Sequence, residues 1–228
     1  MKRLVTLLAL SALSAAPAFA ANALRISQVY GGGGSATTGP TYNVDYVEIF
    51  NSSSAAINLS GYTIEYGSAA GNWGSSATNI FTFPAGAIIQ PCAYVLVASG
   101  TPSAGGGALG VTPDYTMTIN ASATNGKFAL FNAVNTNLAC GSELAGTLVD
   151  KLAYGTANCA EGTAVAALTT TTGAIRNNGG LVDTDVNSAD FTNTSAPVPH
   201  NAASAINPAC TVVPTHKRNW SQLKAIYR

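Results

Sequence analysis

Between Asp45 and Tyr66 the chain reads DYVEIFNSSSAAINLSGYTIEY, and this pattern sets the class of fold. Val47 and Ile49 flank Glu48, and Tyr62, Ile64 and Tyr66 alternate with Thr63 and Glu65, which is the two-residue period of a strand with one buried face. Asn51-Ser52-Ser53-Ser54 and Leu59-Ser60-Gly61 supply turn chemistry between the two runs. The same signal recurs at Leu24 to Tyr30, Tyr46 to Phe50, Tyr62 to Tyr66, Ile80 to Phe83, Tyr94 to Ala98, Tyr115 to Ile119, Phe128 to Phe131 and Leu148 to Tyr154, and more weakly near Ile175 and Phe191. Short strands separated by Gly, Ser, Asn and Pro clusters argue for an all-β sandwich or barrel rather than βαβ units. Helical periodicity is confined to the Ala-rich patch Val165 to Leu168, too short to hold a helix alone.

The start of the chain has a different character. Lys2 and Arg3, the apolar run Leu4 to Ala16 and the small-residue site Ala18-Phe19-Ala20 read as an export signal over residues 1 to 20, with the mature chain beginning near Ala21. The apolar core is too short for a membrane anchor, so no membrane span is expected after cleavage and the protein is expected to be secreted or periplasmic. Residues 21 to 206 suit one large domain. From residue 21 to 210 there are ten acids and only four bases (Arg25, Lys127, Lys151, Arg176), a net charge of −6 that disfavours a nucleic-acid partner. Residues 207 to 228 break with this: Lys217, Arg218, Lys224, Arg228, His216 and Trp220 fall in a tail that reads as disordered, as a basic arm, or as foreign sequence at a truncation. Export permits disulfides, and Cys92, Cys140, Cys159 and Cys210 allow three full pairings that remain open at this level.

The ordered segments add up to a resemblance. Tyr46 to Asn51, Asn58-Leu59-Ser60-Gly61-Tyr62, Phe81-Thr82-Phe83-Pro84-Ala85-Gly86, Tyr94 to Gly100 and Lys127 to Asn132 follow the order seen in the lamin-tail domain family. Val149-Asp150, Tyr154 to Cys159, Arg176 to Gly180 and Asp183 to Phe191 resemble segments of its bacterial secreted members. The resemblance covers about Leu24 to Ser204 and implies an immunoglobulin-like β-sandwich. It implies pairing of Cys140 with Cys159, which leaves Cys92 for Cys210, and Cys92 stands where the family usually has Gly in a Pro-Gly-Gly turn. It also implies two roles: a non-catalytic binding or structural module with an unidentified protein or cell-surface partner, or the accessory front domain of an extracellular endonuclease/exonuclease/phosphatase-type nuclease.

Several motifs invite a chemical reading, each beside a plainer one. Asp183, Asp185, Asn187 and Asp190 place oxygen side chains along a short acidic run, as calcium loops do. An EF-hand counted from Asp183 requires Gly and Glu where Ser188 and Thr194 stand, and Asx turns explain the same letters. No other cofactor is expected. Gly105 to Gly110 spells G-x-G-x-x-G, but no helix pattern follows to receive a pyrophosphate, so it reads as a loop. The two histidines, His200 and His216, both lie late in the chain, and no G-x-S-x-G elbow occurs, which disfavours nucleophilic catalysis. His200 follows Pro-Val-Pro where relatives carry Arg and is expected to take over a surface contact. Glu48 and Glu65 are candidate paired carboxylates for glycoside cleavage, but alternation points them away from the core, where they are expected to be solvated. Tyr62, Tyr66, Tyr94 and Trp73 form a candidate aromatic platform; Trp73, in a Gly-rich loop, is the one expected to be exposed. The Gly-, Ala- and Ser-rich loops Gly31 to Gly39, Gly67 to Thr78 and Ser99 to Gly110 are expected to form a mobile rim.

Overall fold

The computed structural model describes residues 23–35, 39–143 and 147–210. The expected export signal and the basic stretch from Thr215 lie outside the described residues. Among the described residues the strands are β1 (Leu24–Tyr30), β2 (Tyr46–Asn51), β3 (Ile57–Asn58), β4 (Thr63–Ser68), β5 (Ile80–Thr82), β6 (Ile88–Ile89), β7 (Tyr94–Ser99), β8 (Tyr115–Met117), β9 (Gly126–Phe131), β10 (Leu148–Tyr154), β11 (Thr172–Arg176) and β12 (Phe191–Ser195). They form a six-stranded sheet in the order β12-β11-β1-β2-β7-β8, a four-stranded sheet in the order β10-β9-β4-β5, and a small β3-β6 pair. The fold is therefore an all-β sandwich, with every pairing antiparallel except β7 with β8.

Alternation builds the core between the two sheets. Val47, Ile49, Val95 and Val97 from one sheet meet Ile64, Tyr66, Phe128, Leu130, Leu152 and Tyr154 from the other, and all are buried. Strand β1 keeps this arrangement through a bulge: the register with β2 shifts between Ile26 and Gln28. Without the extra residue, Val29 would fall on the opposite face from Ile26. The bulge turns both inward and leaves Gln28 and Tyr30 on the outside. Val165 to Leu168 form no helix; Val165 instead bridges Tyr154 at the end of β10.

The outer faces are where expectation and structure part. Glu48 and Glu65 do leave the central core, but each is 0% exposed rather than solvated. Over the six-stranded sheet, the segment following β12 lies across β1 and β2: Gln28 donates to the Val198 carbonyl at 2.8 Å, and Glu48 accepts the His200 backbone N–H at 2.6 Å. Over the four-stranded sheet, the loop after β4 folds back, and Trp73 is fully buried against Phe131, not exposed on a rim. Nor is the Gly31 to Gly39 loop a loose rim throughout, since Gly31, Gly32 and Gly33 are buried and a side chain at Gly33 would strike the Val44 backbone. Gly serves there for close approach of two backbones.

The cysteines pair as Cys92 with Cys210 and Cys140 with Cys159, each at a Cα–Cα distance of 5.6 Å. Cys92 adopts φ +56°, the left-handed backbone that a turn glycine would supply more easily. The packed body runs through Cys210, four residues past the boundary expected at 206, because Asn207 is buried and donates to the Asn178 and Gly179 carbonyls.

Candidate functional site

Two places concentrate polar chemistry. The first closes one open side of the sandwich, where β10 of the smaller sheet meets β1 and β11 of the larger. Strand β11 pairs with β1 only at Gln28 and Val29, so the backbone of Ile26 is left without a strand partner on that side. Side chains complete the ladder: Asp150 Oδ2 accepts the Ile26 N–H at 2.6 Å, and Arg176 Nε donates to the Ile26 carbonyl at 2.8 Å. Arg176 also pairs with Asp150 at 2.6 Å, with Asp183 at 3.2 Å and with Asp190 at 3.7 Å, while Arg25 pairs with Asp183 at 3.1 Å. The guanidinium of Arg176 lies 4.4 Å over the Phe191 ring.

This geometry places the four residues expected to hold calcium. Asp183 and Asp190 converge on a cation, but the cation is Arg176. Asp190 further accepts the Thr184 N–H and hydroxyl and the Val186 N–H, which ties the preceding loop to its own carboxylate rather than forming an Asx turn. Asn187 turns away to stitch β10, accepting from the Ala153 N–H and donating to the Lys151 carbonyl. Asp185 is exposed at φ +58°. Among the described residues, the acids that do lie within 4.8 Å of one another are Asp150, Glu161 and Asp183.

Glu161 was not singled out by sequence. Burial first, then the nearby Asp150, push its carboxyl up to about 8. The folded chain thus keeps a proton that the unfolded chain releases near pH 4.5, so this group's stabilising contribution is full below that value and is lost as pH rises towards 8. Stability of the Glu161→Gln variant should therefore fall less between pH 5 and pH 8 than that of the unaltered chain. Urea titrations at the two pH values measure the difference, and equal declines would count against the assignment.

The second place is a cleft of about 560 Å³ at the β8 edge of the larger sheet. Ser99, Thr101, Ser103, Thr116, Thr118 and Asn120 present hydroxyl and amide groups along it, with Asp45 at its base. Asp45 is spent on structure: its oxygens accept the Gly33 N–H at 2.7 Å and the Ala121 N–H at 2.8 Å. Burial nevertheless raises its carboxyl to about 6.

The remaining candidates are also committed. Glu48 accepts from Ser27 Oγ at 2.6 Å and faces the His200 ring nitrogen at 3.1 Å, and this hydrogen bond raises the imidazole above its ordinary value. His200, expected at the surface, is half-buried and stacks on Tyr94 with centroids 4.6 Å apart. Glu65 accepts the Asn135 N–H at 2.7 Å, and the two carboxylates sit on different sheets rather than as a pair. Tyr66 and Tyr94 are buried and Tyr62 packs against the core, so no aromatic platform forms. The Gly105 to Gly110 loop leads into no helix.

A family model described as the Lamin Tail Domain matches residues 17–184. The chain belongs to the lamin tail domain family. The immunoglobulin-like sandwich follows the family, whose domain is non-catalytic. The match ends before β12, so the segment that covers Glu48 and the Cys210 anchor of this lamin tail domain lie beyond it. No curated protein matches the sequence. Among solved structures, the crystal structure of a DUF4876 family protein from Bacteroides thetaiotaomicron is similar, with 14% identity and a TM-score of 0.48 over 78% of this chain and 72% of that one.

Proposed function

We propose that this lamin tail domain is an exported, non-catalytic binding module that takes a neutral, hydroxyl- or amide-bearing ligand in the cleft beside β8. The carrying observation is the lining itself, which offers hydroxyls and an amide but no cation, over a carboxylate already satisfied by backbone N–H groups. The cleft offers an anionic ligand no cation, and of the body's four bases Arg25, Lys127 and Arg176 are buried while Lys151 lies 3.8 Å from Glu143. That burial also weighs against nucleic acid, whose phosphates need exposed basic groups. Glu48, Glu65, Asp150 and Asp190 are held in structural hydrogen bonds, so these four acids are committed to the scaffold. The leader-like start and two disulfides support export. No helix among the described residues is long and apolar enough to cross a membrane.

The test is an NMR titration of the mature chain with neutral saccharides and short uncharged peptides at millimolar concentration. Shifts confined to residues 99–103 and 116–120, and lost on Thr118→Val, are expected. Shifts elsewhere, or none across the panel, would remove the cleft from the proposal. The accessory-domain reading gives the same module a positioning role. Genomic DNA after codon 228 decides it: a metal-nuclease pattern in any frame supports it, and a stop without one sinks it.

A further inference from the structure

Lys127 occupies an unusual place for a lysine. It lies in β9, the inner strand between β10 and β4, opposite Gly67 on one side and Ala153 on the other. Gly67 is what makes room, since a Cβ there would stand 2.6 Å from the Lys127 side chain. The side chain lies on the outer face of the smaller sheet under the Trp73 loop and is 0% exposed, with Nζ 5.1 Å from the centre of the Trp73 ring. Among the described residues it enters no salt bridge. Its Nζ instead donates to Oδ1 of Asn158, in direct contact. A buried ammonium without a carboxylate partner is costly, and burial lowers its proton affinity.

Asn158 is presented to this amine by a fixed backbone. Its own N–H donates to the Ala69 carbonyl at 2.9 Å, and the next residue is held by the Cys140–Cys159 disulfide. The side chain is exposed, and its Nδ2 makes no hydrogen bond among the described residues. Glu143 completes the group. It is buried, accepts the Trp73 Nε1–H at 2.9 Å, and its carboxylate lies within 4.8 Å of Cys159 Sγ, beside Asn158 in the chain.

We propose that Lys127 and Asn158 form an intramolecular isopeptide bond, with Glu143 as the proton acceptor. Glu143, which makes no direct ion pair with Lys127, takes a proton from the ammonium through an intervening water and frees the Nζ lone pair. Nζ attacks Cγ of Asn158; the Nζ–Cγ bond forms, the Cγ–Nδ2 bond breaks, and Nδ2 takes the proton held by Glu143 and the second proton released by Nζ, departing as ammonium, which carries the positive charge away. Nothing is oxidised or reduced. Fixed contact between amine and carboxamide replaces a bimolecular encounter. The exposed side of Asn158 vents the ammonia, and a buried charge becomes a neutral amide.

Mass spectrometry of the full exported chain, reduced and alkylated, tests this without any variant. The expected result is a chain lighter than its sequence by one ammonia, resistant to trypsin after Lys127, and yielding a branched peptide that joins Lys127 to Asn158. Lys127→Arg and Asn158→Ala should each restore the full mass, and Glu143→Gln should slow the loss. A wild-type chain of full mass cleaved normally after Lys127 would overturn the proposal. So would an ammonia loss mapped to a fragment without Lys127, which would mark succinimide formation instead.

Discussion

Replacing Arg176 with methionine should destabilise the domain by about 3–5 kcal/mol, the usual cost of removing one partner from a buried ion cluster. Methionine keeps much of the volume against Phe191, so the loss isolates charge and hydrogen bonding. Asp150, Asp183 and Asp190 would remain around a vacated centre, and the Ile26 carbonyl would lose its donor. For a domain of this size the melting temperature should drop by roughly 10–15 °C. Asp185→Asn, which removes the charge of an exposed acid of the same run and keeps a side chain that tolerates its left-handed backbone, should stay within about 0.5 kcal/mol of the parent. Urea unfolding of both variants measures the contrast. A near-neutral Arg176→Met would mean that the aspartates relax into water, and the cluster would then not close the sandwich edge.

The Cys92–Cys210 bridge carries the second large effect. Its ends are 118 residues apart, so opening it frees most of the unfolded chain and should cost about 4–5 kcal/mol by loop entropy. The Cys140–Cys159 bridge spans 19 residues, and its loss should cost about 3 kcal/mol. Paired Cys→Ser variants at each site, compared by urea unfolding, give the ranking. The longer bridge also pins the end of the segment that covers Glu48. Amide exchange at His200 should therefore quicken in the Cys92/Cys210 variant and remain slow in the other. An equal or reversed stability ranking would show that the entropic account fails here.

Much of the scaffold was legible in advance. β1 and β10 fall at the expected bounds, although each carries a register shift that a two-residue period does not show. The two-residue strands β3 and β6 carry too few positions to show a period, and they were missed. The ion cluster was half legible: Asp183 and Asp190 stood out, whereas Arg176, Asp150 and Glu161 come from other segments. A signal for them did exist. Only 9% of the chain is charged, so its few charges have little claim to be mere solvating surface. Lys127 and Asp45 belong to the same class of sparse, committed charges.

By itself, the sequence determined a chain of short alternating strands, the lamin tail pattern and the cysteines able to staple it. Tertiary structure alone decided which faces of those strands stay dry. Alternation says that Glu48 leaves the core, but only the return of the chain 152 residues later, bringing His200, makes its side of the sheet dry as well. Trp73 and Lys127 are buried for a like reason, by loops that meet over the smaller sheet. The physical cause is that a strand's period is a local property of the backbone, whereas dryness of a face depends on what packs against it.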